Sequence, residues 1–162
     1  MGQCSGMTPE WVDAFQPMLT DLLTRIDELG GAEAGPVVPF RLFFEGNDDE
    51  GSFAPNVVPH PGMDHVYDVL SNIEARPEVS AILVQIDEAM EPPEWPFAPI
   101  VYVVTTADAA TVHQWAKSIE PDPPFDGGPY GWLSEEGWGS EEAPPGAPSI
   151  PSGHRPVVLH WD

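Results

Sequence analysis

The chain contains very few basic residues for its size. Its 162 residues include 27 Asp and Glu but only 5 Lys and Arg, which gives a formal net charge of -22 at pH 7. Because nucleic acids and anionic lipid surfaces are also negative, such a chain repels them, and we expect no nucleic-acid or membrane partner. The same imbalance attracts basic proteins and cations. Acidity of this size can also serve solubility alone, and that alternative stays open.

Two further absences bear on where the protein acts. Cys4 is the only cysteine, so an internal disulfide cannot form, which favours a reducing compartment. The sequence has no apolar run long enough to cross a bilayer, and its first residues lack the basic stretch and apolar segment of a secretion signal. We therefore expect a cytoplasmic protein.

The remaining composition is that of a folded domain. Hydrophobic residues make up 41% of the chain, with 6 Trp and 7 Phe. A chain of this length and composition can bury a substantial core. We expect residues 1–7 to form a flexible N-terminus and residues 8–162 to form a single domain.

Three stretches carry the periodicity of amphipathic helices. The first begins at Thr8 and Pro9, a capping hydroxyl followed by a proline suited to the first helical turn, and ends at Gly30 and Gly31. The second is predicted over residues 63–75, and the third after a cap at Thr106. Their predicted inward residues are Trp11, Phe15, Met18, Leu22, Ile26, Leu29; Met63, Val66, Tyr67, Leu70, Ile73; and Val112, Trp115, Ala116 and Ile119.

Four apolar stretches are typical of strands, namely residues 37–44, "SAILVQIDE", "IVYVVTT" and "PVVLHW". After the first helix the elements follow the order β-α-β-β-α-β, which is the ferredoxin-like order. We therefore predict an α+β fold with a ferredoxin-like antiparallel sheet and an extra N-terminal helix. Residues 120–154, rich in Pro and Gly, form a long acidic, aromatic-containing loop before the last strand. A sheet of different strand order is the alternative.

The ferredoxin-like topology would gather acidic residues at one end of the sheet. In it, the loop after strand one, the hairpin between strands two and three, and the loop entering strand four share that end, which holds just over half of the 27 acids. Aromatic side chains among acids suit protein recognition, because the rings anchor a partner and the charges steer it. The predicted partner-binding residues are Glu45, Asp48, Asp49, Glu50, Phe53, Glu91, Glu94, Trp95, Trp132, Glu135, Glu136 and Trp138.

The sequence matches no catalytic or metal-binding motif. Read as a calcium loop from Glu45, it has Glu50 where glycine is needed and Asn56 where a bidentate glutamate is needed. His60 and His65 lack the further ligands that zinc requires, and no HExxH, paired Cys or GxSxG pattern occurs. We therefore assign no catalytic residue, metal or cofactor.

Three functional hypotheses follow. The leading one is a small acidic cytoplasmic protein that recognises a basic protein partner, most concretely a bacterial immunity protein or inhibitor that neutralises a toxin. The second is a metal-dependent or carboxylate-based hydrolase that uses the 45–50 loop with His60. The third is a structural domain whose acidity serves only solubility.

Overall fold

A computed structural model describes residues 10–123 and 143–161, with side chains in the first helix described from Pro17 onward. The predicted flexible N-terminus and four predicted partner-binding residues lie outside these ranges. Those four are Trp132, Glu135, Glu136 and Trp138. The side chains of Trp11 and Phe15, predicted to face the core, are also outside the described part.

Four α-helices and four strands make up the described chain. The helices are α1 (Glu10–Glu28), α2 (Phe40–Phe44), α3 (Met63–Glu74) and α4 (Ala109–Trp115), and the strands are β1 (Val37–Pro39), β2 (Val79–Gln85), β3 (Ile100–Thr105) and β4 (Arg155–His160). Short 3-10 helices cover Ala32–Ala34, Glu50–Ser52 and Lys117–Ile119. None of the helices in the described part is long and apolar enough to cross a membrane.

The long helices follow most of the predicted apolar pattern. On α1, Leu22 and Ile26 are buried as predicted, but Met18 is exposed and Leu19 is buried instead, in the helix that contains Pro17. On α3, the buried residues are Met63, Val66, Val69, Leu70 and Ile73.

The third predicted helix exists, but its cap differs from the prediction. Asp108, not Thr106, precedes α4, and its carboxylate accepts the Thr111 backbone N–H at 2.8 Å. The hydrogen bonds from Thr111 lower the pKa of Asp108, and the charge of Arg155 lowers it further. A carboxylate at this position also interacts favourably with the positive end of the helix dipole.

The sheet is antiparallel throughout, with strand order β1-β2-β3-β4. The α+β class and the antiparallel sheet are therefore confirmed. The order differs from the ferredoxin-like prediction, in which the first strand lies inside the sheet. Among the described strands, β1 is an edge strand that pairs only with β2, and each strand pairs with the next in the chain.

The predicted strand over residues 37–44 is wrong in its second half. Only Val37–Pro39 is a strand, and Phe40–Phe44 is a helix. Pro39 has no N–H to donate to a ladder, and its φ of -57° suits the residue before a helix. Phe40, Phe43 and Phe44 are buried, at the i, i+3, i+4 spacing that places side chains on one helical face. Both periods fit a short apolar run, so sequence pattern alone could not separate them.

The sheet has an apolar cluster on each face. One large cluster includes side chains from all four helices and from every strand. The other consists of Val37, Leu83, Tyr102, Val104 and Val158, against which Ala147 and Ile150 pack. Of the apolar residues in the predicted helices and strands, Leu42 and Trp115 are half-buried, and the buried ones include Leu22, Ile26, Phe40, Phe44, Leu70, Ile82, Val84, Ile86, Val101, Val103 and Val158.

Candidate functional site

The acidic loop, residues 45–54, is organised by its own polar side chains. Asn47 is only 4% exposed, and its Oδ1 accepts the Asp49 backbone N–H at 2.9 Å. Its Nδ2 donates to the Phe43 carbonyl at 3.2 Å and to Ser52 Oγ at 3.0 Å. Ser52 Oγ donates in turn to the Asp49 carbonyl at 2.6 Å. Side chains therefore take the place of strand pairing as hydrogen-bond partners of the backbone in this loop.

A glycine lets the loop approach α1 closely. Gly46 has a φ of 77°, a backbone conformation that side-chain-bearing residues rarely adopt. A Cβ at this position would collide with the sulfur of Met18. The start of the acidic loop is therefore packed against the first helix.

Asp49 joins the acidic loop to the strand connection, residues 86–99, which links β2 to β3. Its Oδ1 accepts the Gly51 N–H at 2.9 Å, and its Oδ2 accepts the Trp95 N–H at 3.0 Å. The backbone adds a parallel link, since the Ala98 N–H donates to the Ser52 carbonyl at 2.9 Å. The loop and the connection therefore form one joined surface.

Trp161 supports this surface from beneath. It is 1% exposed, and its ring centroid lies 4.5 Å from that of Phe53 in the acidic loop. Its backbone N–H donates to the Pro99 carbonyl at 3.0 Å, and its indole N–H donates to the Ile119 carbonyl at 2.7 Å. One residue therefore contacts the acidic loop and the chain that follows α4 with its side chain, and the strand connection with its backbone.

Exposed carboxylates cover the joined surface, which we call the acidic face. Its exposed members are Glu45, Asp48, Glu50, Asp87, Glu88, Glu91 and Glu94. Within the described part of the chain, none of them forms an ion pair with Lys or Arg. Glu50 Oε2 lies 3.8 Å from His60 Nδ1. Asp49 is partly buried between the two segments.

Three of the arginines interact away from the acidic face. Arg25 pairs with Glu28 at 3.3 Å on α1, and the Arg76 guanidinium stacks 4.2 Å from the Trp115 ring centroid. Arg41 donates to Glu74 at 2.6 Å, and this hydrogen bond raises the pKa of the Arg41 guanidinium. The acidic face therefore keeps its negative charge uncompensated by these cations.

Two predicted partner-binding aromatics lie in the core. Phe53 is 0% exposed and Trp95 is 5% exposed. Phe53 packs edge-on against Phe44, with centroids 5.0 Å apart, in addition to its contact with Trp161. Both rings thus hold the acidic face in place from inside the domain, and they present little surface to a partner.

His60 is bound to the backbone on both sides of its ring. Its Nδ1 accepts the Gly62 N–H at 2.9 Å, so Nε2 carries the proton and donates to the Phe53 carbonyl at 2.7 Å. His65 lies on α3, with its Nε2 3.1 Å from Ser118 Oγ. Across residues 17–123 and 143–161, no three His, Cys, Asp or Glu side chains are grouped to hold a metal ion.

Sequence reasoning missed the residues that build the face. Asn47 and Ser52 carry a detectable signal, because Asn and Ser among acids are typical of turns that bond their own backbone. Trp161 lies at the end of an apolar run, and the neighbouring sequence gives no sign that three segments of the fold contact it. The acidic loop and the strand connection do meet, but not for the predicted reason. The prediction rested on the ferredoxin-like topology, whereas β1 here runs antiparallel to β2, and the two segments are joined through Asp49, Ser52 and Trp161.

The fold and the face together define an acidic α+β protein with a four-stranded antiparallel sheet and a carboxylate-covered surface at one end. The chain belongs to the YfbO family. A family model described as "Uncharacterized protein YfbO family" matches residues 18–159. The "Uncharacterized protein YfbO" of Escherichia coli (strain K12) is 33% identical over 128 residues, which cover 78% of this chain and 83% of that protein. No solved structure matches the chain.

Proposed function

We propose that this protein binds a basic protein through the acidic face. The observation that carries the proposal is a set of exposed carboxylates on two segments that are fixed to each other. Among the described residues, none of these carboxylates has a Lys or Arg partner within the chain. A cationic partner could therefore pair with them without first displacing an internal cation.

The fixed backbone favours binding in a second way. Ordering a flexible loop on association costs free energy, and that cost falls when the loop already holds its bound conformation. Asn47, Asp49 and Ser52 fix the acidic loop by the hydrogen bonds described above. The exposed acids of the face are therefore presented from a backbone that needs little rearrangement.

Long-range electrostatics favours a cationic partner. A formal net charge of -22 produces an attractive field for basic proteins, which raises association rates at low salt. In its most specific form, the partner is a cationic toxin domain and this protein is its cytoplasmic inhibitor. A nuclease is a suitable example, because binding a phosphate backbone requires a positive surface of its own.

The alternative of a hydrolase built on the 45–50 loop receives less support. Both oxygens of Asp49 accept backbone N–H groups, and both ring nitrogens of His60 are hydrogen-bonded to backbone atoms. A general base must reach a substrate proton or a water molecule with a free acceptor atom. His60 would have to give up a structural bond to do so, and Asp49, which keeps one further lone pair on each oxygen, is held in place by the two bonds that join the loop to the strand connection.

The proposal can be tested with variants matched in charge. The face variant combines Asp48→Asn, Glu91→Gln and Glu94→Gln, which removes three negative charges from the acidic face. The control combines Asp21→Asn, Asp27→Asn and Asp68→Asn, exposed residues on α1 and α3 with the same change in net charge. Each protein is immobilised, bacterial lysate is passed over it, and captured proteins are identified and purified.

We expect the wild type and the control to capture the same basic protein and the face variant to capture much less of it. With the purified partner, the association rate constant should fall as salt rises, because exposed charges are screened beyond about 8 Å at physiological ionic strength. It should also fall in the face variant more than in the control. Equal losses in both variants, or association insensitive to salt, would overturn the proposal.

A further inference from the structure

A cavity at the opposite end of the sheet has a different chemical character from the acidic face. It has a volume of about 520 Å³ and is lined by Thr106 and residues 150–155. Thr105 and Arg155 are paired at this end of β3 and β4, whereas Ile100 and His160 are paired at the other end. The cavity therefore opens where β3 ends and β4 begins.

The cavity is lined by one of the chain's few cationic side chains, which has no hydrogen-bond or ion-pair partner in the described part of the chain. Arg155 is partly buried and lines the cavity. Its guanidinium forms no hydrogen bond or ion pair with any residue of the described part, unlike that of Arg25 or Arg41. The carboxylate of Asp108 is close enough to feel its charge, but it is already bonded to the Thr111 N–H at 2.8 Å. The N–H groups of Arg155 thus remain available to a ligand.

Neutral hydrogen-bonding groups line the same cavity. Thr106 and Ser152 are exposed, and their hydroxyl groups can donate. His154 Nδ1 lies 3.3 Å from the Ser152 carbonyl, which can only accept, so Nδ1 carries a proton and Nε2 of the neutral ring is left as an acceptor for a hydroxyl or amine of the ligand. The donors to an oxyanion are therefore the guanidinium and the neighbouring hydroxyls, and such a donor-rich set binds oxyanions.

An anion can bind at the cavity despite the negative net charge of the protein, because the cavity lies far from the acidic face. β3 has six residues, and at about 3.3 Å per residue its two ends lie roughly 17 Å apart. That is about twice the screening length of about 8 Å at physiological ionic strength. Repulsion from the acidic face is therefore strongly reduced at the cavity, while contacts inside it act at full strength.

We propose that this cavity binds a small molecule through a carboxylate or phosphate group held by Arg155. The volume is within the range of small-molecule sites, about 300–1,000 Å³. Arg155 supplies the charge and the two-pronged geometry that oxyanions fit. Thr106, Ser152 and His154 complete the polar lining. This site is independent of the proposed protein-binding face.

The test uses the full chain labelled for NMR and titrated with sodium phosphate, sodium acetate or sodium chloride at constant ionic strength. We expect saturable shifts with phosphate or acetate that are confined to Thr106 and residues 150–155, and none with chloride. A preference between the two oxyanions identifies which group the natural ligand carries.

Two variants decide whether Arg155 is responsible. Arg155→Gln should weaken binding at least about tenfold, the equivalent of about 1.4 kcal/mol, since a hydrogen bond to a charged group is lost. Lys117→Gln removes the same charge from an exposed residue outside the cavity and should leave binding unchanged. Thr106→Val should give a smaller loss. Shifts that do not saturate, that spread along the chain, or that respond equally to both charge variants would overturn the proposal.

Discussion

The Asp49 carboxylate accepts the backbone N–H of Trp95 at 3.0 Å, across 46 positions of sequence. The same carboxylate accepts the Gly51 N–H with its other oxygen at 2.9 Å. One acid of the acidic loop therefore has a structural role, while its neighbours Asp48 and Glu50 are exposed. Adjacent residues of the same charge are thus not interchangeable in this loop.

Replacing Asp49 by Ala should destabilise the protein. The Trp95 N–H would lose its acceptor, and an unsatisfied buried donor costs about 1–3 kcal/mol. Urea denaturation followed by tryptophan fluorescence measures the change. Asp48→Ala is the matched control, and as an exposed substitution it should stay within about 0.5 kcal/mol of the wild type. Equal effects of the two substitutions would show that Asp49 does not brace the loop.

Two substitutions separate the contribution of the Trp161 ring to stability from that of its indole N–H. Trp161→Phe keeps an aromatic ring but leaves the Ile119 carbonyl without its side-chain donor, at a cost of about 1–3 kcal/mol. Trp161→Ala also opens a cavity and should cost about 3–5 kcal/mol. Val58→Ala, at a residue 88% exposed, should cost almost nothing and serves as the control. Chemical denaturation gives all three values, and a Trp161→Ala variant as stable as the control would contradict this account.

A helix at Phe40–Phe44 and the predicted strand over the same residues imply different losses of stability when neighbouring residues are replaced by Ala. In a strand Phe40, Leu42 and Phe44 would share the buried face, whereas in the helix Phe43 is 0% exposed and Leu42 is half-buried. Phe43→Ala should therefore cost about 3–5 kcal/mol and Leu42→Ala at most about 2 kcal/mol. Thermal or urea denaturation of both variants gives the order, and the reverse order would favour the strand.

The helix cap at Asp108 should make stability depend on pH in acid. Its pKa is lowered from an ordinary value of 3.8, so the ionised carboxylate is more stable in the folded protein than in the unfolded chain. Its contribution is complete above that ordinary value and is lost as the pH falls through the folded pKa. Asp108→Ala should lower the melting temperature at neutral pH, and the difference from wild type should shrink towards pH 2. A difference that stays constant across this range would contradict the assignment.

Neutralising the acidic face should stabilise the free protein at low salt. Exposed like charges repel one another, and the variant with Asp48→Asn, Glu91→Gln and Glu94→Gln removes part of that repulsion. Its melting temperature should exceed that of the wild type in low salt, and the gain should decrease as added salt screens the charges. A gain that does not change with salt would point to a local packing effect. A binding role would explain why the chain keeps acids that lower its own stability.

The helices were predictable because their signal is local. On α1 and α3 the apolar spacing identified Leu22, Ile26, Leu70 and Ile73 as inward residues, and they are buried. A face of three or four turns repeats the same pattern several times, so one irregular residue such as Pro17 does not hide it. The run at Phe40–Phe44 covers too little chain to repeat its pattern, which is why helix and strand could not be separated there.

The strand order was less predictable because pairing depends on contacts far apart in sequence. β1 has three residues, ends at Pro39 and pairs with β2, more than forty positions away, through Val37 with Gln85. The acidic face was hard to predict from the sequence for the same reason. The charges could be read from the sequence, but the bond from Trp95 to Asp49 and the three contacts of Trp161 arise only in the folded chain.

The strand order also bears on how the fold can diverge. Each strand pairs with its neighbour in sequence, so no connection has to pass over another strand of the sheet. Lengthening a connection costs little, since each doubling of a flexible loop adds only about 0.6 kcal/mol. Insertions at exposed positions of these connections, such as Asn56 between α2 and α3, can therefore accumulate without disturbing the register of the four strands. The buried residues of α2 and α3 hold the rest of that connection against the sheet, so we expect divergence in the exposed loops between the elements.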